Sequence, residues 1–483
     1  MDTHETVELV SIIDPNRKYK VEKKEKGSGA KKRVFFAPDR SYAIGVYVNE
    51  PDHRSQERLQ ELVGTYYRGL FEHEGKEVWK ERFCWPYDIV RTSKGNLGIV
   101  MPLYSPDFLF QKGNLLKGEE KKGSHFALPI GRMQVDPEEL GNWKNMLECS
   151  WDLARTIRRL HMAGLSHSDL SYNNVLLNPT KGRVLVIDVD ELVVPGKYDP
   201  GVFGTPGFIA PEVYGGNELP SQYTDLHAMA CLIYLYLLHR HPLIGEKRHP
   251  ASTAEEEELI AYGKGALFVE HSTDKSNKPA PRCYSPVDWS DVDKVPCEIT
   301  GPYLSRLFHR TFEEGLHNPK QRPSAAEWEE GLQKTYDLLT PCDNPRCTEH
   351  YFVLNKKKSC PFCGRTINYS IPVFDVYLLN KGKWEPAKRK LYGTKEKQLH
   401  KWHFFANCSF NETLPKEERK TIALLNPYRD QWIFYNIGMK DLVVVDGDQE
   451  THLAMGDKIL LKKDMVLRNN EPNGLTLKVV GFM

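Results

Sequence analysis

The first hundred residues alternate short apolar runs with charged stretches, and KRVFFA, SYAIGVYV and GNLGIVMPLY read as β-strands. Between the second and third of these, Leu59, Leu62, Val63 and Tyr66 fall at helical spacing and predict one helix over His53 to Phe71. An antiparallel sheet with a helix is expected there. From Gly141 to Thr340 the apolar positions recur at helical period through WKNMLECSWDLARTIRRLH, the run Ala228 to Leu238, GPYLSRLFHRTF and SAAEWEEGLQKTYDLL, which predicts a mainly helical body. Two stretches rich in Lys, Gly, Ser and Pro, Gln111 to Arg132 and Glu270 to Val295, are expected as surface insertions. From Ile367 onward TIALL, WIFYNI, DLVVVD, KILL and LTLKVVGF alternate with turn signals, so the tail reads as all β.

Composition changes this picture little. The 483 residues are 40% hydrophobic and 27% charged, as in folded globular proteins, which excludes a mostly disordered chain. A formal net charge of +1 gives no global pull toward nucleic acid or an anionic membrane. The longest apolar run, AMACLIYLYLL, is well short of the roughly 20 residues a bilayer requires. The segment MDTHETVELV lacks a secretory pattern, so a cytoplasmic, reducing location is expected, in which clustered cysteines act as metal ligands rather than disulfides.

Candidate chemistry lies in three ordered motifs: HSDLSYNNVLL (His167 to Leu177), VLVIDVDE (Val184 to Glu191) and GTPGFIAPE (Gly204 to Glu212). Phosphoryl transfer needs one carboxylate at the acceptor hydroxyl and oxygen ligands for Mg2+ on the phosphates, and these motifs supply both. They resemble the protein-kinase signature H-R-D-x-x-x-x-N, D-F-G, A-P-E over roughly residues 20 to 336. The resemblance implies an α+β, bilobal fold with a β-rich small lobe (1–103), a helical large lobe (104–338) and ATP between them. It also implies that Asp169 orients and deprotonates the acceptor hydroxyl, that Asn174 and Asp188 hold Mg2+, and that His167 is structural. Gly27, Ser28, Gly29, Val34, Ala43, Glu61 and Met101 would surround the nucleotide. Asp225 would brace the catalytic loop, and Arg322 would pair with Glu212.

The small lobe departs from the pattern. Where kinases carry a phosphate-binding lysine on the third strand, this chain has Gly45, and a lysine stands late in the glycine-rich loop Gly27-Ser28-Gly29-Ala30-Lys31-Lys32-Arg33-Val34. This is similar to the "with no lysine" kinases, and it implies that Lys32 reaches the phosphates across the space left at Gly45. Glu61, then Glu57, are the expected ion-pair partners of that lysine. Ser168 replaces the arginine that reads activation-loop phosphorylation, and Ser171 replaces the catalytic-loop lysine. Asp190, in place of the D-F-G glycine, is expected to cap a turn, with an added metal ligand as the other reading. Thr205 occupies the position that packs near the catalytic aspartate in Ser/Thr kinases.

Cys342 and Cys347, then Cys360 and Cys363 after a gap of twelve residues, have the spacing of a small structural Zn2+ ribbon, here 339–366, with His350 as a substitute ligand. The tail 367–483 is expected as a β-sandwich, faintly similar to forkhead-associated domains but without their arginine and serine-histidine signature. Its basic run Lys388, Arg389, Lys390 is expected to be solvated, with a place facing an anion as the other reading. The whole arrangement, with GLSHSDLSYNNVLL, GTPGFIAPEV and HRHPLIG, resembles the bacterial kinase of the tellurium-resistance-associated triad. That resemblance implies a cytoplasmic Ser/Thr kinase whose substrate is a von Willebrand A-type metal-binding protein, opposed by a metal-dependent Ser/Thr phosphatase, with no nucleic-acid or membrane partner. Two other readings stay open. One is a pseudokinase scaffold that assembles partners through the ribbon and sandwich; the other is a small-molecule phosphotransferase, against which GTPGFIAPE argues.

Overall fold

The computed structural model describes the chain except residues 1–4, 29–30, 73–76, 195, 199–202, 217, 248, 282–286, 355–357, 396 and 409–418. Gly29 therefore lies outside the described residues, as does the side chain of Ser28. The chain forms two compact units, one of residues 1–141, 145–292 and 307–329, the other of residues 142–144, 293–306 and 330–483.

In the first unit, β1 (Thr6–Ser11), β2 (Lys18–Glu22), β3 (Gly27–Ser28), β4 (Lys32–Phe36), β5 (Tyr42–Tyr47), β6 (Asp88–Arg91) and β7 (Leu97–Pro102) make one antiparallel sheet in the order β2-β1-β6-β7-β5-β4-β3. β1 and β2 escape the apolar-run reading because polar and charged residues are interspersed with their apolar ones; Leu9, Ser11, Tyr19, Val21 and Glu22 are buried, while Glu8, Val10, Lys18 and Lys20 are exposed. The helix after β5 starts at His53, capped by Asp52, whose carboxylate accepts from the Ser55 amide at 2.7 Å. It widens into one π turn over Leu62–Tyr66 and ends at Phe71. Leu59 and Val63 pack on the sheet with Ile89, Leu97 and Ile99, while Leu62, Leu70 and Phe71 pack with Leu160, Leu165, Val186 and Val189. The helix thus joins the sheet to the segment around Asp188.

The helical body is built on Trp143–Met162 and Gln222–Leu238. The second is buried from Thr224 to Leu238, as an all-round apolar helix must be, and at its start the Ser221 amide donates to Thr224 Oγ1 at 2.9 Å. Between these helices, β8 (Val175–Asn178) and β9 (Arg183–Val186) form a hairpin with Asn174 before it and Asp188 after it. The expected surface insertions are corrected in part. Phe126 and Ala127 are buried beside a Lys121–Glu139 ion pair at 2.9 Å; Glu270 accepts from Arg240 at 2.7 Å, and Trp289 packs edge-on against His239. Their lysines and acids read as surface composition, but several are paired in the interior.

In the second unit, β10 (Leu339–Pro341) pairs with β11 (Tyr351–Val353). The strands that follow are β12 (Pro372–Asn380), β13 (Lys383–Tyr392), β14 (Lys397–His400), β15 (Thr421–Tyr428), β16 (Gln431–Asn436), β17 (Leu442–Asp446), β18 (Gln449–His452), β19 (Lys458–Leu460), β20 (Val466–Asn469) and β21 (Leu475–Phe482). They make two antiparallel sheets, β13-β12-β21-β20-β17-β18 and β14-β15-β16-β19. Both contribute to one core around Phe374, Leu425, Trp432, Phe434, Leu467 and Leu477. The basic run on β13 is not simply solvated: Arg389 gives Asp337 two bonds, at 2.9 and 2.6 Å, and Lys390 bonds Asp375 at 2.7 Å. His403 Nε2 lies 3.0 Å from the other Asp337 oxygen, and its Nδ1 accepts from the His400 amide at 2.9 Å.

Asp337→Ala should strip the partner from a nearly buried Arg389 and destabilise this unit by about 3–5 kcal/mol in denaturant titration. Burial outweighs Asp337 and holds His403 down at about 4. The unfolded chain binds that proton below about pH 6.5 and the folded unit only below about pH 4, so this contribution is intact above pH 6.5 and is lost as pH falls through the window. Melting temperatures recorded from pH 7.5 to 4 should fall only in the lower part.

Candidate active site

The loop before β8 is fixed from beneath. Asp225, at the start of the buried helix, accepts from the His167 amide at 2.8 Å and lies 3.0 Å from His161 Nε2. His167 is itself buried and reaches the Ile187 carbonyl at 3.0 Å, so the Asp169 loop and the Asp188 segment share one support. Asp169 is then aimed by two donors: Thr205 Oγ1 gives its Oδ1 a bond of 2.6 Å, and Asn174 Nδ2 gives its Oδ2 one of 3.1 Å. Asn174 Nδ2 also donates to the Asp169 carbonyl at 2.8 Å, which fixes the amide orientation and leaves its Oδ1 for a cation. Asp188 sits in the left-handed region, at φ 59°, which an aspartate tolerates better than most residues.

Pairing in β4, β5 and β7 sets Lys32 opposite Tyr47, Val34 opposite Gly45, and Ala43 opposite Met101, so all six share one face of the sheet. Gly27 pairs with Val34 at the sheet edge. A Cβ built on Gly45 would lie 3.4 Å from Lys32 Cδ and 3.3 Å from Met101 Cε. The lysine stem runs through the space that the missing side chain leaves. Its Nζ ends 2.9 Å from Asp188 Oδ1 and 2.5 Å from Asp190 Oδ1, while the Tyr47 hydroxyl donates to Asp190 Oδ2 at 2.5 Å. Burial opposes the charge on Lys32, but Asp190 and Asp188 outweigh it and raise its pKa. Burial likewise opposes ionisation of Asp190, and Lys32 with Tyr47 reverses that and keeps it a carboxylate.

Two expectations are corrected here. Glu61 is not the partner of Lys32: it is bonded to Lys197, and Glu57 lies 3.4 Å from His53. The physical reason is that the stem over Gly45 points at the 188–190 segment, where a buried acid is already waiting. Asp190 neither caps a turn nor stands free for a metal, since both of its oxygens hold protein donors. The available signal was an acid at the D-F-G glycine position in a chain whose lysine has moved. Lys31, the other loop lysine, bonds Glu191 at 2.6 and 2.8 Å. Arg322 and Glu212 form the expected bidentate pair, at 2.6 and 2.8 Å.

In the second unit, the Sγ atoms of Cys342, Cys347, Cys360 and Cys363 all lie within 4.8 Å of one another. Cys342 and Cys363 are 3.6 Å apart, and Cys347 and Cys360 are 3.8 Å apart. Four sulfurs about 2.3 Å from one tetrahedral Zn2+ would stand about 3.8 Å apart, so the donor set fits that ion. His350 is not in the cluster; it contributes its carbonyl, which accepts from the Cys342 amide at 2.7 Å.

Residues 133–334 match the model of the protein kinase domain family, a span that holds Asp169, Asn174, Asp188, Thr205, Glu212 and Arg322. The chain is 36% identical over 88 residues to serine/threonine-protein kinase PSK1 of Saccharomyces cerevisiae, covering 18% of this chain and 6% of that protein. It is 32% identical over 124 residues to serine/threonine-protein kinase PSK2 of the same yeast, covering 24% and 11%. It therefore spans only a small part of the length of these relatives. A solved structure, that of a Toxoplasma gondii specific rhoptry antigen kinase domain, aligns with 69% of this chain and 87% of its own at 14% identity and a TM-score of 0.40.

Filling the space at Gly45 should dislodge Lys32. Gly45→Val is expected to weaken binding of a Mg-nucleotide by about tenfold or more, the worth of one charge-assisted bond, in calorimetry with the circular dichroism spectrum unchanged.

Proposed function

We propose that the chain is an ATP- and Mg2+-dependent protein Ser/Thr kinase in which a loop lysine, Lys32, does the work of the usual strand lysine. The observation that carries this reading is a single constellation: Asp169 aimed by Thr205 and Asn174, with Lys32 crossing Gly45 to the Asp188 segment. Asp169 takes the proton of the acceptor hydroxyl, and its bond to Thr205 keeps the accepting oxygen in place. Asn174 Oδ1 and Asp188 would hold Mg2+, which would supply positive charge to offset that of the phosphates. Lys32 binds the phosphates from the side of the sheet, against the face lined by Val34, Ala43 and Met101.

The four cysteines are read as a structural Zn2+ ribbon and the two-sheet tail as a partner-docking module, on the strength of the sulfur spacing and the shared core. In the finer reading the enzyme works in the cytoplasm in a stress-linked circuit of the tellurium-resistance type. Its substrate there is a von Willebrand A-type metal-binding protein, and a metal-dependent phosphatase opposes it. The motif phrases GLSHSDLSYNNVLL, GTPGFIAPEV and HRHPLIG support this assignment. Among the described residues no helix is long and apolar enough to cross a membrane. A pseudokinase scaffold is the second reading, favoured by Ser171, which is buried where kinases place a catalytic lysine.

The purified protein should transfer the γ-phosphate of Mg-ATP to a protein acceptor, and Asp169→Asn and Lys32→Met should each reduce transfer by about a hundredfold or more. No transfer by the wild type despite nucleotide binding would favour the scaffold. Elemental analysis should find one Zn2+ per chain, and Cys347→Ser should abolish it.

A further inference from the structure

The carboxylates that meet Lys32 are not equivalent. The Asp188 side chain is 49% exposed, whereas that of Asp190 is 1% exposed and both of its oxygens are engaged, one by Lys32 and one by Tyr47. A cation arriving from solvent can draw Asp188 away from Lys32. It cannot draw Asp190, whose departure would leave a buried ammonium and a buried hydroxyl without partners. Lys32 and Tyr47 face each other across β4 and β5, so the two donors to Asp190 come from one rigid ladder. Asp190 itself lies two residues after Asp188, in the single helical turn Val189–Glu191. The helix glutamate within reach of this region, Glu61, is bonded to Lys197 instead.

Resting on the kinase reading, we propose that Asp190, backed by Tyr47, is the positioning residue that holds Lys32 at the nucleotide phosphates once a cation draws Asp188 away from the lysine. The lysine is then anchored by the same short segment that carries Asp188, not by the helix. Its position is set by one ladder and one turn, and moving the helix does not release it. Without the Asp190 carboxylate, Lys32 has only Asp188 to pair with. It would then neutralise the acid that Mg2+ needs, so the loss would appear in nucleotide affinity before any turnover.

The test is a double-mutant cycle on equilibrium binding of Mg2+ with a non-hydrolysable ATP analogue, measured by calorimetry, with phosphate transfer recorded in parallel. Asp190→Asn is expected to weaken binding at least tenfold in the wild-type background and less than twofold in Lys32→Met, because the residue acts through the lysine. Tyr47→Phe, which keeps both charges, should give a smaller loss of the same kind and serves if Asp190→Asn fails to fold. Asp190→Glu should recover part of the affinity, and Glu61→Gln should change it less than twofold. Equal losses from Asp190→Asn with and without Lys32 would overturn the proposal and make Asp190 a metal ligand or a purely structural group. Wild-type affinity in Asp190→Asn would also overturn it, while transfer by the wild type left the kinase reading standing. A wild type that neither bound nucleotide nor transferred phosphate would remove that reading and this proposal together.

Discussion

One charge cluster organises the site: a lysine ammonium in a nearly closed space between two carboxylates, with a tyrosine hydroxyl behind the deeper one. A buried ammonium is tolerable only when its charge is balanced close by, and here two acids two residues apart in sequence provide the balance. The geometry depends on Gly45. Any larger residue there would meet the Lys32 stem and the end of Met101, so the glycine and the displaced lysine are two parts of one device. The cluster also ties the sheet to the segment carrying Asp188, reinforced by Lys31 on Glu191 and Lys197 on Glu61.

On the opposite side of the site, support comes from neutral bonds and a buried acid. Asp225 anchors the loop through the His167 amide, His167 reaches across to the Ile187 carbonyl, and Thr205 and Asn174 orient Asp169. The side-chain amide of Asn174 donates to Asp169 twice, so its remaining oxygen and the half-exposed Asp188 are left to face a cation. The division of labour between acids follows from burial. Asp225 and Asp190 are enclosed and structural in effect, whereas Asp188 is open to what binds.

Much of this was legible because the relevant patterns are local. The spacing from His167 to Asn174 and from Val184 to Asp188 is short enough to be set by one loop and one hairpin, and the lysine beside an empty Gly45 could be read from two positions on paired strands. What the sequence hid are choices among partners. Glu61 and Asp190 are both acids at plausible positions, and only the path of the Lys32 stem decides between them. Arg389 looked like one of three solvated basic residues until β13 turned it onto Asp337. β1 and β2 were hidden by the polar and charged residues interspersed in them, since a strand with one buried face needs only every second residue apolar. The lysine-rich stretch after Gln111 reads as surface, yet Lys121 is buried against Glu139.

The most direct test is a crystal structure with Mg2+ and a non-hydrolysable ATP analogue bound. Lys32 Nζ is expected within hydrogen-bond distance of a phosphate oxygen and still bonded to Asp190, with Asp188 turned from the lysine to the metal. Phosphates held by Lys31 or another cation, with Lys32 remaining on Asp188, would contradict that expectation.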